Sequence, residues 1–274
     1  MPASPFYITT SWDDGHPLDL RLAEMLAKYG LAATFYVPIR HHQKLINAEE
    51  IRGLSRSFEI GGHTLTHCDL RSVPYDVSRY EIGNCKDALE QITSLPCRSF
   101  CFPKGRFRRG HIAQVKAAGF TLARTVELMS LSTPRSQSGI ALMPTTIQAG
   151  PAGAMTYFKN AAKRLRPGNF LHWTRFRGDT WVATLDALLT SAAERGGVVH
   201  LWGHSFEIEQ NKEWSNLDRA FSVLAQYKTR ARFASNGELL NLLSRSPALP
   251  GTSDDTQALA PPSALAGDLM TSYS

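Results

Sequence analysis

The chain has 274 residues, of which 43% are hydrophobic and 20% are charged. These fractions are typical of a globular protein, which excludes a disordered or fibrous chain, and the length suits one large α/β domain. Thirty Lys and Arg residues against 24 Asp and Glu residues give a formal net charge of +6, which favours an anionic substrate.

Runs rich in β-forming residues alternate with segments of helical periodicity, which predicts parallel strands joined by helical crossovers. The predicted strands cover residues 7–11, 33–37, 58–61, 99–102, 121–124, 141–147, 169–172, 198–202 and 232–234. The predicted helices cover residues 18–29, 48–56, 76–93, 111–118, 154–165, 180–194, 216–227 and 237–244. Together they predict a single α/β domain over residues 1–245. Residues 246–274 are rich in Pro, Ser, Ala, Gly and Thr, which predicts a flexible tail.

The basic residues form short, separated clusters at 104–109 and 163–166. Solvated surfaces commonly carry such clusters, and we predict no nucleic-acid partner. No apolar run approaches the roughly 20 residues that cross a bilayer, and residues 1–7 lack the features of a secretory signal. We therefore expect a cytoplasmic protein with reduced cysteines and no transmembrane segment, and a homo-oligomer is compatible with the sequence.

Two adjacent carboxylates, Asp13 and Asp14, follow the first predicted strand. In a parallel α/β barrel, functional side chains lie at the carboxyl ends of strands. Adjacent carboxylates repel each other unless a cation or a shared proton neutralises one of them. A bound metal ion explains the pair, although an isolated Asp-Asp-Gly would more commonly be a turn with a helix cap.

His63 and His67 follow another predicted strand and are four residues apart. If one helical turn separates them, both imidazoles point to the same side and can bind one divalent ion. Such a pair also arises by chance, but with Asp14 it completes a set of two histidines and one carboxylate. Borderline metals such as zinc suit that set.

A third group of polar residues follows a late predicted strand. His204 lies where this strand gives way to a loop, which suits a general acid near neutral pH. His200 lies inside the strand and is expected to line the barrel, although the two roles could be reversed. Trp202 and Phe206 flank His204 and are the aromatic residues that we favour as walls of a sugar pocket, whereas core packing is expected for most other aromatics at strand ends.

These motifs, in this order, resemble those of the polysaccharide deacetylases of carbohydrate esterase family 4, over roughly residues 7–243. The resemblance implies a distorted (β/α) barrel with one divalent metal ion, for which zinc is favoured and Co, Ni, Mn or Fe are other candidates. It also implies roles for five residues: Asp13 as the catalytic base, Asp14, His63 and His67 as the metal ligands, and His204 as the catalytic acid.

The chain departs from the family pattern at the third motif. Members typically have Arg-x-Pro-Tyr there, whereas this chain has Phe-Cys-Phe-Pro-Lys-Gly at residues 100–105. The arginine that orients the base is therefore missing, and Arg106 or Arg124 could replace it. Pro103 still suggests a turn, in which the backbone N–H of Lys104 could donate to an oxyanion.

The acidic partner of the catalytic histidine is not set by the motifs, and Asp179 and Glu207 are both candidates. For Asp179, capping of the helix predicted at 180–194 is the alternative.

The predicted function is metal-dependent removal of an acyl group, N-acetyl in the first instance, from an amino sugar, glycan or sugar conjugate. Hydrolysis of a formyl group on a lipid-linked sugar or of a cyclic ureide remains an alternative on the same fold. A non-catalytic sugar-binding barrel is the alternative from another class.

Overall fold

The computed structural model describes residues 5–245, and the predicted flexible tail at 246–274 lies outside them. The strands are β1 (Phe6–Asp13), β2 (Thr34–Val37), β3 (Glu59–Gly62), β4 (Ser99–Cys101), β5 (Leu122–Arg124), β6 (Arg135–Gln137), β7 (Ile140–Met143), β8 (Ile147–Gln148), β9 (Gly197–Gly203) and β10 (Arg232–Phe233). The helices are α1 (Asp19–Lys28), α2 (Ala48–Leu54), α3 (Tyr75–Thr93), α4 (Arg109–Ala117), α5 (Ala154–Lys163), α6 (Pro167–Phe176), α7 (Trp181–Arg195), α8 (Ser205–Gln210), α9 (Trp214–Ala225) and α10 (Asn236–Arg245). A 3-10 turn covers Pro103–Gly105.

The strands form one largely parallel sheet in the order β6-β7-β5-β4-β3-β2-β1-β9-β8. The central strand β1 is buried along its whole length, as expected of a parallel strand that is covered on both faces. One edge of β1 pairs with β9, and the other pairs with β10 in its first half and with β2 in its second half. Asp13 and Asp14 therefore lie at the carboxyl end of a strand that is paired along both of its edges.

The closing segment, residues 140–148, joins the two ends of the sheet. Its first part, β7, pairs with β5, and its last part, β8, pairs with β9. Pro144 lies between the two parts and has no N–H for a ladder hydrogen bond, so the strand is interrupted there. The sheet is thereby closed into a distorted barrel, which confirms the predicted single-domain α/β barrel.

The helices lie outside the barrel, and α1, α7 and α9 each bury one apolar stripe. In α1, Leu22 and Leu26 are fully buried at the spacing of one helical turn, as the sequence predicts. The start of α2 is fixed by Asn47, whose side chain accepts the N–H groups of Glu49 and Glu50, while Glu50 accepts the N–H of Asn47. This reciprocal capping box explains why the short α2 begins there.

Two predicted elements differ from the structure. The strand predicted at 169–172 is wrong, because these residues lie in α6. Pro167 takes the first position of that helix, where no N–H is needed. The rings of Phe170 and Trp173, three residues apart in the helix, stack on each other. A short apolar run cannot by itself distinguish strand from helix. The strand predicted at 141–147 is divided into β7 and β8, which pair with opposite ends of the sheet.

The four cysteines, Cys68, Cys85, Cys97 and Cys101, are free thiols, as predicted. Within residues 5–245, no helix is long and apolar enough to cross a membrane.

Candidate active site

Polar side chains from separate strands meet at the carboxyl end of the barrel. They surround a cavity of about 300 Å³. The residues that line it are Asp13, Asp14, His63, His67, Phe102, Lys104, Gly105, Val126, Leu128, Gln148, Thr156, Asn160, Trp202 and His204. The cavity thus gathers the Asp-Asp pair, the His-x-x-x-His motif and His204, which lie up to 191 positions apart in the sequence.

Asp14 directs its carboxylate toward His63 and His67. Its backbone has a φ of 79°, in the left-handed region where aspartate is tolerated better than most residues, and its N–H donates to the Tyr36 carbonyl at 3.0 Å. Gly15 follows with a φ of 61°, and a Cβ at that position would lie 2.9 Å from Val37. Glycine is therefore needed directly after the pair.

Asp14, His63 and His67 have the geometry of a metal-ligand set. The Nε2 atoms of His63 and His67 lie 3.3 and 3.1 Å from Asp14 Oδ1. Ligand atoms about 2.0–2.2 Å from a tetrahedral ion lie at comparable separations from one another. Asp14 Oδ1 is buried and has no hydrogen-bond partner, which an ion would supply.

His63 is oriented by a second hydrogen bond. Its Nδ1 lies 2.8 Å from the carbonyl oxygen of Cys101, to which it donates, and this fixes the tautomer that leaves Nε2 free toward Asp14. His67 is held less directly. Glu81 accepts the N–H and the hydroxyl of the preceding Thr66 at 2.8 and 2.9 Å, which anchors the loop that carries it.

Burial raises the pKa of Asp14, but the close approach of the His63 and His67 imidazoles outweighs it and holds the pKa well below its usual range. The carboxylate is therefore ionised, as a ligand must be. Among residues 5–245, a second group of adjacent donors consists of Asp13, His63 and Cys101. It is less suited to an ion because Nδ1 of His63 is already bonded to Cys101 O.

Asp13 lies beside this ligand set and pairs with Arg124. The Arg124 guanidinium donates to Asp13 Oδ2, and both side chains are buried. Of the two arginines that could replace the missing one, Arg124 makes this contact, whereas Arg106 pairs with Asp69 at 2.8 Å. Asp13 Oδ1 is buried without a hydrogen-bond partner.

Arg124 is held between two aromatic rings. Its guanidinium carbon lies 5.3 Å from the centre of the Tyr36 ring and 4.8 Å from that of Trp202. Cation–π contacts of this kind stabilise a desolvated guanidinium. Trp202 therefore both lines the cavity, as predicted, and supports the arginine behind Asp13.

His204 faces the ligand set from the other side of the cavity. Its Nδ1 lies 2.9 Å from Glu207 Oε2, and Gln148 donates to the same oxygen at 3.0 Å. Its Nε2 lies 3.9 Å from Asp14 Oδ2. Burial lowers the pKa of His204, but the hydrogen bond to Glu207 and the nearby carboxylates outweigh it and raise the pKa overall.

The structure separates the alternatives that the motifs left open. Glu207, not Asp179, contacts His204, because Asp179 is exposed and lines a different cavity beside Trp181. His200 is buried inside the barrel, with Nε2 2.8 Å from Ser11 Oγ and Nδ1 3.2 Å from the Pro144 carbonyl. Burial lowers its pKa to about 3, so it is neutral at physiological pH.

The turn at Pro103–Gly105 forms one wall of the cavity. Lys104 has a φ of 56° and Gly105 a φ of 59°, and a Cβ on Gly105 would collide with Val126. Phe206 was predicted to form a wall of the pocket, but it is not among the residues that line the cavity. Its ring lies 5.3 Å from that of His204, so it packs behind the histidine.

Sequence reasoning missed several residues of this site. Gln148 and Asn160 line the cavity, and Asp19 is fully buried, with Ser205 donating to its Oδ1 at 2.6 Å. Only Ser205 could have been placed at the site from the sequence, because it directly follows His204. No sequence motif marks Gln148, Asn160 or Asp19, and only the folded barrel brings them close to the site.

The polysaccharide deacetylase family model matches residues 2–123, the part of the chain that holds both the Asp-Asp pair and the His-x-x-x-His motif. No curated protein matches this chain. Among solved structures, a putative polysaccharide deacetylase from Mycobacterium smegmatis is similar with a TM-score of 0.62 at 15% identity, over 92% of this chain and 99% of that one. The chitin deacetylase from Colletotrichum lindemuthianum has a TM-score of 0.57 at 14% identity, over 86% and 88% of the two chains.

A CE4 family pseudoenzyme from Bacillus anthracis also shares the fold, with a TM-score of 0.51 at 15% identity, over 86% of this chain and 66% of that one. The family match and the shared barrel confirm the predicted resemblance. Over residues 2–123 the chain is thus similar to the polysaccharide deacetylase family, and its fold is similar to that of solved deacetylases.

Proposed function

We propose that this protein is a metal-dependent hydrolase that removes an acyl group, N-acetyl in the first instance, from an amino sugar, glycan or sugar conjugate. The observation that carries the proposal is the arrangement of two proton-transfer pairs around one ligand set. Asp13 with Arg124 and His204 with Glu207 flank Asp14 in the same cavity. A protein that only bound sugar would not need both pairs.

Asp14, His63 and His67 would hold the ion. Zinc suits two imidazoles and one carboxylate best, and Co, Ni, Mn or Fe are other candidates. When bound, such an ion would lower the pKa of a water molecule to about 7 and polarise an acyl carbonyl.

Asp13 acts as the base in this proposal. Arg124 occupies its Oδ2, so the unpartnered Oδ1 is the atom that accepts the proton of the attacking water. The fixed pairing also holds the carboxylate in one orientation during the transfer.

The backbone N–H of Lys104 is proposed to donate to the oxyanion that forms at the acyl carbon. One donor in that position contributes roughly 3–4 kcal/mol to the transition state. On the opposite side, His204 donates a proton from Nε2 to the departing amine, while its Nδ1–H stays bonded to Glu207. Without that proton the amine is a poor leaving group.

The test is a screen of metal-loaded protein against acetylated chitooligosaccharides, formylated amino sugars and cyclic ureides, with elemental analysis of the same samples. We expect acetate release from an acetylated amino sugar, loss of activity on chelation, and recovery when metal returns. Asp13→Asn should keep its metal and lose most turnover. Activity without a transition metal would contradict the proposed metal dependence. Tight glycan binding without any hydrolysis would favour a sugar-binding protein.

A further inference from the structure

The helical hairpin formed by α5 and α6 carries the net charge of the whole protein. Residues 151–178 contain six basic and no acidic side chains, while the rest of the chain carries 24 of each sign. The six basic residues are Lys159, Lys163, Arg164, Arg166, Arg175 and Arg177. The charge of +6 is thus a local property of one hairpin.

The same hairpin exposes large apolar side chains. Met155, Phe158, Leu165 and Leu171 are 58%, 51%, 86% and 65% exposed, and they are half of the large exposed hydrophobic residues described within residues 5–245. An almost wholly apolar cavity of about 510 Å³ opens between the two helices. Contiguous exposed apolar surface of this kind marks an interaction site.

Apolar and basic residues share the outer face of α5. Met155, Phe158, Lys159 and Ala162 recur at helical spacing and are exposed, whereas Tyr157 and Ala161 on the other face are buried. Leu165 lies at the tip of the hairpin with a φ of 54°. A left-handed leucine is costly, and this one presents its side chain to solvent rather than to the core.

The basic residues of this face are largely uncompensated. Arg166 lies 3.6 Å from Glu127, and Arg177 lies over the ring of Trp173. Within residues 5–245, no ion pair involves Lys159 or Lys163. Lysines beside exposed apolar residues are typical of helices that lie in a membrane interface.

We propose that the α5–α6 hairpin is a docking surface for an anionic lipid bilayer. Its charge is complementary to acidic headgroups, and its apolar residues can enter the headgroup and acyl-chain boundary. A second copy of the chain is a poor occupant, because the contact would bring two strongly basic surfaces together. This inference does not rest on the proposed activity.

Docking would bring the catalytic cavity next to the lipid surface. Thr156 and Asn160 of α5 line that cavity. The Asn160 side chain accepts the Leu128 N–H at 3.0 Å and donates to the Val126 carbonyl at 2.7 Å. The hairpin is therefore fixed to the rim of the active site.

Vesicle sedimentation of the full chain tests the electrostatic part. We expect binding to phosphatidylcholine vesicles that contain about one third phosphatidylglycerol, little binding to phosphatidylcholine alone, and weakening at about 0.5 M salt. Lys159→Gln with Lys163→Gln should lower the partition coefficient roughly 30-fold, because each lysine near an acidic surface contributes about 1 kcal/mol. The matched control, Lys116→Gln with Lys228→Gln, should bind like the wild type.

A second variant pair tests the apolar part. Phe158→Ser with Leu165→Ser removes exposed side chains only and should lower binding at least tenfold, whereas Val77→Ser with Leu95→Ser should not. Equal binding to neutral and anionic vesicles, or wild-type binding by both hairpin variants, would overturn the proposal. So would a wild-type dimer in analytical ultracentrifugation that binds no vesicles and becomes monomeric in the Phe158/Leu165 variant.

Discussion

Arg124 donates a hydrogen bond to Asp13 from a different strand than the one expected to supply an arginine. The third motif at residues 100–105 begins in β4, whereas Arg124 ends β5, the next strand of the sheet. Because neighbouring parallel strands end at the same edge, a guanidinium from β5 can reach the same carboxylate. We propose that this contact compensates for the departure from the family pattern.

Arg124→Lys tests the orienting contact. Lysine keeps the charge but lacks the planar fork that holds Asp13 in one orientation, so we expect kcat to fall roughly a hundredfold while metal content stays the same. Arg106→Lys is the matched control and should leave kcat unchanged. Steady-state kinetics and elemental analysis measure both effects, and an unaltered kcat in Arg124→Lys would separate Arg124 from the action of Asp13.

His63→Gln and His67→Gln test the ligand set. Loss of a direct ligand should weaken metal binding by more than the roughly 10–100-fold that loss of a supporting residue costs. Titration against a competing chelator measures this affinity. His172→Gln, on the exposed face of α6, should retain full affinity, and retention by either ligand variant would contradict the assignment.

Glu207→Gln tests the acid. His204 must be protonated to act, so activity is lost as the pH rises through its pKa, which Glu207 helps to raise. Replacing the carboxylate with an amide should move this alkaline limb of the pH–rate profile to lower pH by roughly one unit. Glu209→Gln, in the same helix but away from His204, should leave the limb in place. An unmoved limb in Glu207→Gln would assign it to another group.

Asp19→Asn tests the buried carboxyl beside the site. Burial raises the pKa of Asp19 from 3.8 to about 8, so the native state keeps a proton that the unfolded chain releases above pH 3.8. This group therefore stabilises the fold fully below pH 3.8, and the contribution is lost as the pH rises toward 8.

The variant lacks that titration. Relative to the wild type, its free energy of unfolding should increase by up to about 1.4 kcal/mol per pH unit between pH 4 and 8. Urea unfolding at several pH values measures the difference, with Asp76→Asn as an exposed control. Parallel stability curves for wild type and Asp19→Asn would show that Asp19 is ionised in the native state.

Local sequence patterns were sufficient for most of the barrel and for the residues proposed as ligands. Asp14, His63 and His67 follow strands whose ends must meet in a parallel barrel, so their proximity follows from the alternation of elements alone. Helix α1 was equally clear, because its apolar residues recur at one spacing and Gly30 ends it with a φ of 56°.

The remaining features depend on tertiary contacts that no local pattern encodes. Residues 169–172 lie in α6, where Trp173 stacks on Tyr157 across the α5–α6 hairpin. The choice between Arg106 and Arg124 depended on which strand end faces Asp13. Likewise, Glu207 could be preferred over Asp179 only once the fold had placed each of them.

The closing segment contacts both of the proposed proton-transfer pairs. Its Met143 pairs with Arg124 in the sheet, and its Gln148 pairs with Trp202 and donates to Glu207. The residues that support the proposed base and the proposed acid therefore both contact one stretch of nine residues. An insertion or deletion there should displace both Arg124 and Glu207. We therefore expect the closing segment to tolerate changes in side chain more readily than changes in length.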